Sequence, residues 1–297
     1  MDKIEFYKNR SLGERFSASA EFIRQNWTVM YKIILIVAIP LALLQGYYQQ
    51  NYMSAYLGNI SRILSGGDAA TMNHLFSNSG IWIYLLVSIL FMITLSAMSG
   101  AILSRYEEGL LGKETTLNDL GNQILTNMGK LFAVVCAVIL MGIVAVIILA
   151  MILVLFSKIS TFLTFLIAFI AIIAIIPPLY LVRFAALFQK ASTMESVKKG
   201  LQLGFKNWGS TFVMMLIIGI ASYVISLIFG LPYAIWNIFN IGSSPGIVSY
   251  ILSGISSLGT AFVTPLTFVF FAFQYFSIVE KTEGISFQSK IEEFDHL

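Results

Sequence analysis

The sequence predicts an all-α, polytopic membrane helix bundle with about six transmembrane helices. Hydrophobic residues make up 58% of the 297 residues and charged residues only 11%, whereas a soluble domain has roughly 25% charged residues. Six apolar runs are also long enough to cross a bilayer as helices, which takes about 20 residues each. A soluble protein of this composition would lack the polar surface to cover itself, so the apolar excess is expected to face lipid.

The predicted spans follow one another along the chain, and the third and fourth form a tight hairpin because only three residues separate them. They cover Val29–Tyr48, Ile81–Ser104, Leu131–Phe156, Ser160–Val182, Ser210–Leu231 and Ile247–Val279. The last run would measure about 50 Å as a straight helix, well beyond a hydrocarbon core of roughly 30 Å. We therefore expect it to break near Gly254, Gly259 or Pro265, which leaves Thr260–Val279 as the true span.

The positive charges predict the orientation. Sixteen of the 18 Lys and Arg residues fall on one side of the predicted bundle, and only Arg62 and Lys158 fall on the other. Since translocation of positive charge is disfavoured, this side is cytoplasmic, and both termini lie there in a bacterial inner membrane. The largest segment on the opposite side is then Gln49–Gly80.

An internal repeat precedes each pair of spans. Ser11–Trp27 and Ser192–Trp208 both begin with a Ser-x-x-Glu capping box and end in Asn-Trp, and Thr116–Met128 is a shorter copy. Their apolar residues recur at helical spacing, which predicts three short amphipathic helices along the membrane interface. The chain is thus predicted to be one membrane domain, 1–297, with repeats at about 11–104, 116–182 and 192–279 and a cytoplasmic tail at 280–297.

Two segments carry a resemblance to a known family. Val182–Phe212 (VRFAALFQKASTMESVKKGLQLGFKNWGSTF) and Pro265–Phe294 (PLTFVFFAFQYFSIVEKTEGISFQSKIEEF) resemble the membrane domain found with some bacterial glycerophosphoryl diester phosphodiesterases. They are similar as well to related stand-alone bacterial membrane proteins of unknown role. The soluble phosphodiesterase domain has no counterpart in this chain, so the resemblance implies the membrane fold and not that activity.

The predicted spans contain almost no groups that could perform chemistry. Lys32, at an interface, is their one charged residue, and the two histidines, His74 and His296, lie far apart outside the spans. This pattern argues against an ion-coupled transporter, an intramembrane protease and a metal site. We expect no enzymatic activity, no cofactor and no nucleic-acid partner.

The remaining polar and helix-breaking residues define two candidate sites. Arg105 and Arg183, just past span ends, could contact lipid headgroups together with Trp27 and Trp208 at the same interface; alternatively, the arginines are simple positive-inside anchors. A cavity for an amphiphilic ligand could be lined by Pro177, Pro178, Pro265 and Gln274. The alternative for this second group is ordinary helix packing.

Two functional hypotheses follow from these features. The first is a non-enzymatic inner-membrane protein that acts as an accessory or scaffold in envelope or lipid-related processes, with membrane lipids and a membrane or envelope protein as candidate partners. The alternative is a permease-like or lipid-handling protein with a central apolar cavity.

Overall fold

The computed structural model describes residues 3–64, 79–112, 114–157, 160–189, 191–241 and 243–285. Within these ranges the chain folds into seven helices and no strand, numbered here in chain order. They are α1 (Leu12–Leu64), α2 (Ser79–Glu107), α3 (Leu117–Ser157), α4 (Thr161–Phe188), α5 (Thr193–Lys206), α6 (Trp208–Phe239) and α7 (Ile247–Glu283).

Every helix except the short α5 is long and apolar enough to span a membrane. Large apolar side chains such as Phe162 and Phe239 point outward, with 77% and 83% of their surface exposed. Such surfaces are stable only where the surroundings are themselves apolar. The prediction of a polytopic helical bundle is confirmed, and the protein is a multi-pass membrane protein.

Helix α7 is the central helix of the bundle. It packs against α1, α2 and α6, and 78% of its most apolar stretch is buried. Its aromatic residues form a cluster with two phenylalanines near the N-terminus: the ring centroids of Phe6 and Phe276 are 4.8 Å apart, and those of Phe22 and Phe273 are 6.1 Å apart. The first and last parts of the chain therefore share one core.

The expected break in α7 does not occur, because the helix runs unbroken through Gly254, Gly259 and Pro265. The two glycines serve helix packing instead. A Cβ on Gly46 of α1 would lie 2.7 Å from the Cα of Gly254, and a Cβ on Gly259 would lie 2.4 Å from the Cβ of Phe229 on α6. Helices approach most closely where a side chain is missing, so these positions are contacts rather than breaks.

The structure also differs from the expected separation of interfacial helices and spans. Helix α1 is continuous for 53 residues, from the first capping box into the predicted outer segment Gln49–Gly80, and α3 likewise includes its whole predicted interfacial helix. Only the third unit is divided, at Asn207, between α5 and α6. Residues 65–78 of the outer segment and residues 286–297 of the tail lie outside the described residues.

The predicted helix caps are present. Ser11 with Glu14 and Ser192 with Glu195 form reciprocal capping boxes, and Thr116 N–H donates to Asp119 at 2.7 Å. The hydrogen bonds from Ser192 lower the pKa of Glu195 below its usual value.

The N-terminal segment Lys3–Ser11 crosses one end of the bundle in a non-helical conformation. Ile4 N–H donates to the Tyr106 hydroxyl and Arg10 N–H to the Ser277 hydroxyl, both at 3.0 Å. The N-terminal segment thus lies beside the last turns of α7. We call this the terminal end of the bundle.

Candidate functional site: two lateral grooves beside α3

The α3–α4 hairpin stands partly apart from the rest of the bundle. No described residue from Val135 to Ile176 is buried, whereas Val134 before this stretch and Pro177 after it are buried. The two helices therefore pack into the bundle only near the terminal end.

Two apolar grooves lie at the base of this hairpin, one of about 330 Å³ between α2 and α3 and one of about 370 Å³ between α3 and α4. The α2–α3 groove is lined by Leu85, Ser88, Ile89, Met92, Ile93, Ser96, Leu131, Val135 and Arg183. The α3–α4 groove is lined by Val134, Val135, Val138, Ile139, Ile176, Leu179, Tyr180, Val182 and Arg183. The grooves share two residues, Val135 and Arg183.

Arg183 is the charged residue of both grooves. Its guanidinium carbon lies 3.9 Å from the centroid of the Tyr180 ring, 4.8 Å from that of Phe184 and 5.5 Å from that of Phe268. These cation–π contacts place the charge against the aromatic core instead of extending it toward the end of the helix. Arg183 lies inside α4, five residues before the helix ends at Phe188.

Three buried polar atoms of this site lack hydrogen-bond partners within the protein. The Nε and Nη2 atoms of Arg183 are buried and form no hydrogen bond, and the same holds for the hydroxyl of Ser88 in the α2–α3 groove. No carboxylate of the described residues forms an ion pair with Arg183. A buried donor without an acceptor is costly, so these atoms are the most unusual feature of the grooves.

The other three predicted headgroup contacts lie elsewhere. Arg105, near the end of α2, has one nitrogen 3.4 Å from the carbonyl of Asp119 and another, Nε, without a partner. Trp27 lies within α1, 42% exposed, with its ring centroid 4.5 Å from that of Tyr31. Trp208 donates its indole N–H to the carbonyl of Ala174 on α4 at 3.0 Å, so this polar group serves a helix contact.

The predicted cavity residues are packed within the bundle. Pro177, Pro178, Pro265 and Gln274 are all buried, and none of them lines either groove. The Oε1 atom of Gln274 accepts a hydrogen bond from Arg15 at 2.7 Å, and its Nε2 atom donates to Ser210 at 3.1 Å. Gln274 is thus part of a buried polar network with Arg15 and Ser210.

Sequence reasoning missed Arg15 and the groove walls on α2 and α3. Arg15 reads in the sequence as one of many positive charges on its side of the bundle. The groove walls are ordinary apolar residues of two spans. No local signal distinguishes either from its neighbours.

No group of three or more His, Cys, Asp or Glu residues within the described ranges could hold a metal ion. No family model, curated protein or solved structure matches the chain. The resemblance to the membrane domain of glycerophosphoryl diester phosphodiesterases accordingly stays a prediction.

Proposed function

We propose that the protein is a non-enzymatic accessory protein of the bacterial inner membrane that holds membrane lipid in the two grooves beside α3. The observation that carries this proposal is the pair of apolar grooves, of about 330 and 370 Å³, which flank a hairpin whose described residues from Val135 to Ile176 include no buried one. Grooves of this kind, open on the lipid-facing side of a bundle, match the chains of an amphiphile better than any water-soluble substrate.

The orientation in this proposal follows from the charges. The terminal end, where Arg10 lies beside Ser277, is the end that carries most of the Lys and Arg residues, so we place it in the cytoplasm. The accessory role also implies a protein partner in the membrane or envelope. Purification from native membranes with identification of co-purifying proteins would reveal it.

The alternative is a permease-like or lipid-handling protein. It draws on the same grooves, but the four residues expected to line a central path, Pro177, Pro178, Pro265 and Gln274, are packed among the helices and give that path no support. The two hypotheses differ in one measurable property. A lipid-handling protein moves or exchanges lipid by itself, whereas an accessory protein only binds it.

The test uses the purified full chain. We expect mass spectrometry to detect lipid retained in mild detergent, and we expect no flux and no substrate turnover after reconstitution into liposomes. Val135→Trp fills the point shared by both grooves and should remove most of the retained lipid. Ile143→Trp, on the exposed part of α3 outside both groove linings, is the matched control and should retain it.

Flux or turnover by the protein alone would overturn the accessory role. Equal lipid retention in Val135→Trp and Ile143→Trp would overturn the assignment of lipid to the grooves.

A further inference from the structure

We infer that the grooves beside α3 form a selective site for a lipid with an anionic phosphate headgroup, and that Arg183 holds this headgroup. The inference rests on the proposed lipid-binding function and adds the chemical class of the lipid. Its basis is one side chain, the guanidinium at the point where the two grooves meet.

The unpaired donors of Arg183 lie on one edge of its guanidinium. The Nε and Nη2 atoms carry the two parallel N–H bonds on one edge of the guanidinium, and these are the two nitrogens of Arg183 that lack a partner. This edge pairs with two oxygens of a phosphate or carboxylate at once, which gives the strongest form of arginine recognition. The structure therefore contains an unpaired two-pronged donor, buried beside the grooves.

The surroundings of Arg183 do not balance its positive charge. Its neighbours are the rings of Tyr180, Phe184 and Phe268 together with apolar groove walls, and none of these groups accepts a hydrogen bond in the plane of the guanidinium. Arg15 differs, since its Nη1 atom donates to Gln274 and Ser210 at 2.7 and 2.9 Å. A charge with unsatisfied donors in an apolar site is stabilised strongly by an anion.

The apolar walls of the grooves favour a lipid over a free anion. Both a lipid headgroup and inorganic phosphate offer the required oxygens, but the walls on both sides of Val135 are almost wholly apolar and extend toward Leu85 in one groove and Ile139 in the other. A free anion would use none of this surface. A lipid places its phosphate at Arg183 and its chains along the two grooves.

The experiment compares two lipids at a fluorescent probe in the groove. The Leu85→Cys variant, made in a Cys136→Ala background, carries the fluorescent label at position 85. The labelled protein is placed in vesicles of phosphatidylglycerol or phosphatidylcholine with brominated chains. The bromine atoms quench the probe on contact. In phosphatidylcholine the choline cation competes with Arg183 for the phosphate of the same headgroup. We therefore expect the probe site to bind phosphatidylglycerol about fivefold more strongly than phosphatidylcholine. A second probe at Val144→Cys, exposed on α3 outside both grooves, reports bulk lipid and should show no preference.

Two variants test the role of Arg183. Arg183→Gln should abolish the preference at the Leu85→Cys probe, whereas Arg24→Gln, which removes an exposed arginine paired with Glu21, should leave it unchanged. Arg183→Lys keeps the positive charge and loses the two-pronged edge, and we expect it to retain only part of the preference. If Arg183→Gln fails to fold, Arg183→Lys alone provides the test. A full preference in either Arg183 variant would overturn the inference.

The remaining outcomes distinguish this inference from the proposed function. Equal quenching by both lipids in the wild-type protein would overturn the anionic headgroup while leaving lipid in the groove. Absence of quenching by either lipid would overturn both. Loss of the preference on addition of glycerol phosphate, a soluble headgroup without chains, at a concentration no higher than that of the lipid would show that Arg183 prefers a free anion and would also overturn the inference.

Discussion

Pro178 leaves a carbonyl of α4 without its usual donor. In a continuous helix the carbonyl of Ala174 would accept a hydrogen bond from residue 178, but proline has no N–H. The indole N–H of Trp208, the first residue of α6, donates to this carbonyl at 3.0 Å. An indole from another helix thus replaces a missing backbone bond where water is scarce, which explains why a proline is tolerated inside a membrane span.

Replacement of Trp208 by phenylalanine should therefore destabilise the protein. The variant keeps the aromatic contact with Phe212 but leaves the carbonyl of Ala174 unpaired, and we expect a loss of about 1–3 kcal/mol in the free energy of unfolding. Trp27→Phe, at a more exposed tryptophan, is the matched control and should change the stability by about 0.5 kcal/mol or less. Thermal unfolding in detergent measures both, and an equal effect of the two changes would contradict the role of this hydrogen bond.

Helices α4 and α5 touch through two glycines one helical turn apart. A Cβ on Gly200 would lie 2.4 Å from the Cα of Val182, and a Cβ on Gly204 would lie 2.3 Å from the Cα of Pro178. Both distances end on backbone atoms, which cannot move aside as a side chain can. The short helix α5 therefore depends on this pair for its position against the bundle, in the manner of small-residue contacts between membrane helices.

Gly204→Ala should push α5 away from α4. Overpacking of this kind typically costs about 1–3 kcal/mol, even though alanine is the better helix former. Gly219→Ala on α6 is the control, because no atom lies within 4 Å of its Cβ position, and we expect it to be neutral or slightly stabilising. Thermal unfolding, together with the rate of proteolysis between α4 and α5, would show the difference; equal rates in the two variants would argue against a tight contact.

The caps and the breaks of the helices were not equally predictable. A capping box such as that of Ser192 and Glu195 needs only residues within one turn, and the sequence predicted it correctly. The break expected near Gly254 and Pro265 depends on what lies beside the helix. At Gly254, α1 approaches closely through Gly46, and α7 continues unbroken past this contact.

A buried polar network joins the beginning, the middle and the end of the chain. The guanidinium of Arg15 on α1 donates to Gln274 on α7 and to Ser210 on α6, and Gln274 donates back to Ser210 and Thr211. These bonds lie beside the aromatic core around Phe6 at the terminal end. The network fixes the relative positions of three helices that are far apart in sequence.

Loss of the Gln274 side chain should loosen this end of the molecule. In Gln274→Leu the charge of Arg15 stays buried with one acceptor fewer, and we expect a loss of about 1–3 kcal/mol in unfolding free energy, with faster hydrogen exchange in the first turns of α1. Gln274→Glu offers a carboxylate to the same guanidinium and should retain more stability than Gln274→Leu. Wild-type stability in Gln274→Leu would show that the network adds little.

For the candidate site, the sequence identified Arg183 as a candidate lipid contact, because an arginine next to a long apolar run is visible in the sequence alone. It did not identify the groove walls, which come from α2, α3 and α4, or the exposure of the described residues from Val135 to Ile176. The sequence also did not predict the hydrogen bonds of Trp208 and Gln274. Each depends on a partner more than 30 residues away in the sequence.

The sequence by itself determined the six apolar helices and their caps, because both depend on the composition of a single stretch and on hydrogen bonds within one turn. Only the tertiary structure decided that α7 is the central helix, that Gln274 is bonded to Arg15, and that two nitrogens of Arg183 lack a hydrogen-bond partner beside the two grooves. The physical reason is that the bilayer stabilises every apolar span in the same way and does not select which helix faces pack together. Which of their faces meet is decided by close packing and by the few polar atoms that must find one another.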